Sequence, residues 1–174
     1  MDTPSTITAF ISTQTAAMLT GKSVRTIHNW LESGAIDSKQ VAAERIPGGM
    51  AQRINLLSMA AYIPFDLTDD FAECVVQADA GEANGALNVG TYFYKVGQHK
   101  IAVDWFESAA KKGNSDAMDL LSHCYIKGVG VDKNFAVGVQ WLGKAAELGH
   151  MMAKVKINDL MHQNEELERK NKTR

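Results

Sequence analysis

The stretch that decides the fold is 105-WFESAAKKG-113, because it returns 36 residues later as 141-WLGKAAELG-149. Tryptophan, two adjacent alanines and a closing glycine keep the same spacing in both copies. Ala86, Tyr94 and Gly97 recur in the same way as Ala117, Tyr125 and Gly128, a shift of 31 residues. The two offsets differ because the second unit carries five extra residues around Gly128-Val129-Gly130-Val131-Asp132. Self-similarity at a fixed period marks stacked supersecondary units. Paired alanines let two helices approach closely, the aromatic fills the gap beside them, and glycine ends each helix. One such hairpin cannot bury its apolar face alone, so neighbours must stack into a solenoid. Ala72–Ala80 ahead of Gly81 has the pattern of a preceding half-unit, and Met151–Met161 that of the start of a third.

Over about residues 72–160 this pattern resembles the Sel-one-like repeat, a relative of the tetratricopeptide repeat. The second copy, with Gly-Val-Gly-Val-Asp, is the better match. The first, with its short Gly97-Gln98-His99-Lys100 turn, is closer to an ordinary tetratricopeptide unit. The resemblance implies contact with a protein partner on a concave helical surface, without catalysis. It places the outward residues of the first helix in each pair, Asn88, Thr91, Asp119 and Ser122, opposite that partner. Tyr92, Tyr94, Trp105, Tyr125 and Trp141 are expected to pack between helices.

From Met151 onward the sequence predicts one long helix. Ala153, Leu160 and Leu167 lie seven apart, interleaved with Ile157 and Asn164, a short seam of coiled-coil type. Two readings stand side by side. Ile157, Leu160, Asn164 and Leu167 form a homodimer contact, or the helix caps the solenoid and its charged end frays.

The first 65 residues follow a different pattern. A helix is expected over Thr13–Leu19, broken by Gly21, and a second from Val24 to Ser33. Ser23 stands at the N-cap of the second and Gly34 at its stop. Val24, Ile27 and Leu31 share one apolar face, which turns Arg25, His28, Asn29 and Glu32 outward, with Thr26 at the edge. Glu44-Arg45-Ile46 and Gln52-Arg53-Ile54 are expected as two strands around a tight Pro47-Gly48-Gly49 turn, and Leu56–Ile63 as a third helix. Two short helices followed by a basic hairpin have the geometry of a winged helix-turn-helix.

Residues 12–63 resemble the winged helix-turn-helix of MerR-type regulators and excisionase/AlpA-type factors. The resemblance runs through Thr26-Ile27-His28-Asn29-Trp30-Leu31-Glu32-Ser33-Gly34-Ala35-Ile36 and then Arg45, Pro47-Gly48-Gly49 and Arg53. It implies a DNA-binding transcription regulator or accessory factor of phage or mobile-element type. In that role Lys22, Ser23, Arg25, Thr26, His28 and Asn29 meet the major groove of double-stranded DNA, and Arg45 and Arg53 meet phosphates. A DNA-bending, excisionase-like role follows from the same resemblance. The sequence departs from the pattern where His28 and Asn29 replace a common Arg-Tyr pair and where residues 37–44 lengthen the approach to the wing. The opposing reading is a protein-docking module with solvated arginines, which makes the whole chain an interaction scaffold with no nucleic acid involved.

The expected fold class is mainly α: a small winged helix-turn-helix over 1–65, helical repeats over 66–161, and a charged helical tail over 162–174. Whole-chain numbers bound the function. At 174 residues, 45% hydrophobic and 22% charged, the chain has the composition of a globular protein. The net charge of −2 divides into +1 for residues 1–65 and −3 for the rest, a weak electrostatic signal for nucleic acid. Cys74 and Cys124 form no CxxC pair and are expected as reduced thiols. No apolar run is of membrane-spanning length and Met1–Phe10 lacks a signal-peptide pattern, so a cytoplasmic protein with no membrane contact is expected. No cofactor or metal is expected either. His28, His99, His123, His150 and His162 are scattered without HExxH, and Gly21-Lys22-Ser23 lacks the upstream glycine of a phosphate loop.

Overall fold

The computed structural model describes residues 8–42 and 49–172, the last ten of these in backbone course only. Ser12 caps the first helix, α1 (Thr13–Thr20), its hydroxyl accepting from Thr15 N, and Gly21 ends it at φ 62°. Ser23 caps α2 (Val24–Glu32) in the same way through Thr26 N. Both helices fall where their caps and glycines put them.

The hairpin is present and its second strand contains the expected Gln52-Arg53-Ile54, but its first strand lies earlier in the chain than expected. Its strands are β2 (Ser38–Ala42) and β3 (Met50–Asn55), paired antiparallel with Ala42 opposite Met50 and Ser38 opposite Ile54. The expected first strand, Glu44–Ile46, and the Pro47-Gly48 turn lie in the connecting stretch, outside the described residues, apart from Gly49. A two-residue strand, β1 (Phe10–Ile11), pairs with the other side of β3, giving a three-stranded antiparallel sheet in the order β1-β3-β2. The third helix is a 3₁₀ segment, Leu56–Tyr62, capped by Asn55.

Six α-helices follow: α3 (Asp69–Asp79), α4 (Ala83–Lys95), α5 (His99–Lys111), α6 (Ser115–Lys127), α7 (Phe135–Glu147) and α8 (Met151–Lys172). Glycine in the left-handed region ends or follows each of the first five, for example Gly113 at φ 88° and Gly128 at φ 75°. The pairs α4–α5 and α6–α7 are the two hairpins read from the recurring motif. Close approach is built from small residues. A Cβ on Gly90 would lie 2.7 Å from the Phe106 ring, and one on Gly138 2.5 Å from Ile126 Cγ1.

Helix α1 is the keystone between the two regions, touching α2 and β3 on one side and α3 and α5 on the other. Buried side chains accordingly form one continuous cluster, from Ile11, Leu19, Ile27 and Ile54 through Phe71, Phe93 and Trp105 to Leu142 and Ala153.

Candidate functional site

At the N-terminal unit, the outward face of α2 is as expected: Lys22, Ser23, Arg25, His28 and Asn29 are exposed. Ser23 and Thr26 spend their side chains on the helix cap, with the two hydroxyl oxygens 3.0 Å apart. Beside the α1–α2 turn runs a groove whose far wall is α5, so that Lys22, Ser23 and Val24 face Asp104, Glu107 and Lys111. Burial raises the Asp104 carboxyl above its ordinary value, and the neighbouring Glu107 charge raises it further against the pull of Lys100 and Lys111. A phosphate strand passing the turn would therefore meet the Asp104 carboxyl and a Glu107 already paired with Lys111 at 3.1 Å.

The wing cations require a correction. Arg53 does not stand in solvent ready for phosphates. Its guanidinium Nη1 lies 2.6 Å from Asp79 Oδ2 at the end of α3, with the Asp79 side chain only 9% exposed. Asp79 Oδ1 accepts from Ser12 N at 3.0 Å and from Thr15 Oγ1 at 2.6 Å. Burial alone would raise this carboxyl, but the Ser12 and Thr15 hydrogen bonds and the Arg53 charge outweigh it and hold it below the ordinary value. The reason for the inward turn lies in the register. Lys39 sits directly opposite Arg53, and like charges facing across a sheet repel. Arg53 goes to Asp79, while Lys39 lies over the Phe10 ring, 3.7 Å from its centroid. Arg45 lies outside the described residues.

The repeats offer a second surface. Their first helices, α4, α6 and α8, are tied in series near their N-termini. Asn114, the N-cap of α6, donates from Nδ2 to Asn84 Oδ1 on α4 at 2.8 Å. His150 accepts from Ala153 N through Nδ1 at 3.1 Å, and its Nε2 lies 3.1 Å from Asp116 Oδ1 on α6. That pairing needs the tautomer with the proton on Nε2. Lys156 adds a second rung by donating to both Asp119 carboxylate oxygens, at 2.7 and 2.8 Å.

Of the residues expected to meet a partner, Asn88 is exposed and Thr91 half-buried, its hydroxyl donating to Leu87 O. Asp119 is held by Lys156. Ser122 is corrected: it is 2% exposed and lines a recess between α6 and α8. This recess, ≈ 270 Å³, has Ile126, Leu142 and Leu160 for apolar walls and His123, Lys127, Lys156 and Asp159 among its polar lining. Sequence reading missed it because its walls come from three helices, one of them read either as a dimer seam or as a solenoid cap. Ile157 and Leu160 are half-buried and pack against the solenoid core, so the first turns of that seam face inward. The Asn164 and Leu167 side chains lie outside those described.

No group of three or more His, Cys, Asp or Glu side chains among the described residues is placed to hold a metal. No described helix is long and apolar enough to cross a membrane.

Antiparallel helix pairs stacked through their first helices define a short α-solenoid of tetratricopeptide type. Residues 83–114 and 115–150 each match the family model described as the Sel1 repeat, so this part of the chain carries two Sel1 repeats. Among solved structures, the chain is similar to c5321, a protective antigen of uropathogenic Escherichia coli strains with an SLR fold, at 30% identity and a TM-score of 0.50. That similarity covers 54% of this chain and 21% of the antigen, so the chain spans about a fifth of its length. A Sel1 repeat protein from Oxalobacter formigenes matches at 28% identity and a TM-score of 0.48, covering 55% of this chain and 76% of that one. Helicobacter pylori cysteine rich protein B matches at 24% identity and a TM-score of 0.47, with 56% and 76% covered. No curated protein matches the chain.

Proposed function

We propose that the protein is an interaction scaffold whose Sel1 repeats dock a protein partner, with the N-terminal unit fixed rigidly to them. The observation that carries this reading is the recess between α6 and α8. An apolar floor inside a charged rim is the anatomy of an anchor pocket, in which one buried side chain of a partner supplies most of the binding energy. An apolar anchor would sit against Leu142, Ile126 and Leu160, and Lys127 and His123 favour an acidic or carbonyl-rich segment around it.

Selection of peptides from a random display library on the whole chain tests this. Selected peptides should lose at least ten-fold in affinity on His123→Trp, which fills the mouth, or Leu160→Glu, which charges the wall. They should bind Arg25→Ala unchanged. Failure of both recess variants to weaken any selected peptide sinks the reading.

A second reading, a DNA-binding regulator, rests on the exposed Lys22, Arg25, His28 and Asn29 face of α2. Against it stand the inward-turned Arg53 and the carboxylates beside the turn. Polarisation with random duplex DNA at low and physiological salt separates the two. The scaffold reading expects no salt-dependent binding, because phosphate neutralisation always carries a salt slope. Tight, salt-sensitive binding that Arg25→Ala weakens would establish the regulator instead.

A further inference from the structure

We propose that the recess between α6 and α8 takes a tyrosine side chain of the docked protein, with the phenol oxygen bonded to Ser122. This anchor rests on the recess being the docking site, as proposed above, and specifies the group that fills it. Ser122 is 2% exposed and lines the recess, and its hydroxyl has no hydrogen-bond partner among the described residues. Its counterpart in the first repeat, 31 positions earlier, is Thr91, whose hydroxyl donates to Leu87 O one turn back on its own helix. Serine and threonine inside helices commonly spend the hydroxyl in that way. Ser122 does not, so the second repeat holds a donor and an acceptor ready at an otherwise apolar place.

Covering a hydroxyl is costly unless it is paired. An aliphatic anchor would press against Ile126, Leu142 and Leu160 and seal Ser122 off unpaired. A carboxylate would have to leave water among the same walls, and Lys156 is already held by Asp119. An indole N–H can donate to Ser122 but cannot accept from it. A phenol does both, and its ring meets the aliphatic walls. Size agrees with this choice. A cavity of about 150 Å³ accepts benzene, and the recess, at ≈ 270 Å³, has room for a ring carrying a further group. Tyrosine is also enriched among the side chains that dominate protein contacts, a large ring whose hydroxyl finds a partner when buried.

Side-chain analogues test this chemistry on the whole chain. p-Cresol and toluene, the analogues of tyrosine and phenylalanine, are titrated by NMR while the amides of Ser122, Ile126 and Leu160 are followed. Toluene leaves water more readily than p-cresol, so a preference for the phenol reports a polar contact in the site. The expected result is binding of p-cresol at least five-fold tighter than toluene. Ser122→Ala should erase that advantage and still bind toluene as well as the parent does, which shows the recess intact. In selected peptides that Leu160→Glu weakens, exchanging the anchor tyrosine for phenylalanine should cost at least five-fold on the parent and little on Ser122→Ala. Recess-bound peptides that need no tyrosine, with p-cresol no better than toluene, would overturn the tyrosine anchor and leave the scaffold standing. A p-cresol advantage that survives Ser122→Ala, or no shift at these amides, would overturn it as well. Selected peptides that ignore both recess variants would remove the scaffold reading along with it.

Discussion

Asp79 shows how one side chain can set the relation between two halves of a molecule. It gathers a backbone N–H, a hydroxyl and a guanidinium from α1 and β3 onto the last residue of α3. Asp79→Ala is expected to cost about 3 kcal/mol in urea unfolding at pH 7, the usual loss when one member of a desolvated pair is removed. Arg53→Ala should cost less, since the Arg53 side chain is 37% exposed and water can replace it. The folded carboxyl titrates below its unfolded value. Its contribution is therefore complete above the ordinary carboxylate range and disappears as pH falls through the lower folded value. Unfolding curves of Asp79→Asn and the parent should accordingly converge in acid and separate toward neutrality. The two thiols give a second test. Burial pushes Cys124 up to about 11, and it is fully covered between helices. Burial raises Cys74 as well, its hydrogen bond with Asn88 partly offsetting the shift, but it is only half-buried. A thiol reagent at pH 8 should label native Cys74 slowly and leave Cys124 untouched until the chain unfolds, as read by mass spectrometry.

At the scale of single elements, helix packing turns on which glycines are free to grow. A methyl at Gly90 meets Phe106, which is 1% exposed and has nowhere to swing, so Gly90→Ala should lose about 2 kcal/mol from overpacking despite its better helix propensity. Gly143 in α7 has nothing within 4 Å of the same position, and Gly143→Ala should gain up to about 1 kcal/mol. Thermal melts that move in opposite directions for the two would confirm the packing, and a loss at both would contradict it. Helices were the legible part of this sequence because their caps and stops are local: Ser23 ahead of α2, and Gly21, Gly113 and Gly128 behind their helices. Strand β2 was not. Ser38-Lys39-Gln40-Val41-Ala42 shows no apolar alternation, with only Val41 half-buried, and its pairing is decided by β3 rather than by its own residues. The Asp79 cluster was equally hidden, because Ser12 and Asp79 stand 67 positions apart and neither belongs to a motif. The repeat surface was half legible. Periodicity gave the correct helix for Asp119 and Ser122, but not that a lysine from α8 would claim one and the recess the other.

Across the whole molecule, continuity of the core predicts that the two regions unfold as one unit. Trp30 reports on the N-terminal unit, where it stacks on Tyr62 at 4.0 Å between ring centroids, while Trp105 and Trp141 report on the repeats. Tryptophan fluorescence and helical circular dichroism should therefore lose structure at the same denaturant concentration. Asp79→Ala should pull the two transitions apart, and separate transitions in the parent would mean that α1 is no true bridge. The junction between the second repeat and α8 has one more consequence. Its capping contact is made by His150 and Asp116, the last and second residues of a single 36-residue cassette, 115–150. Inserting a duplicate of that cassette after His150 would reproduce the same histidine–aspartate joint at the new seam and leave the original terminus intact. The protein could thus be lengthened by a whole module through the same capping joint, with Leu120 of the inserted copy facing the inner Asp119 where Lys156 now stands.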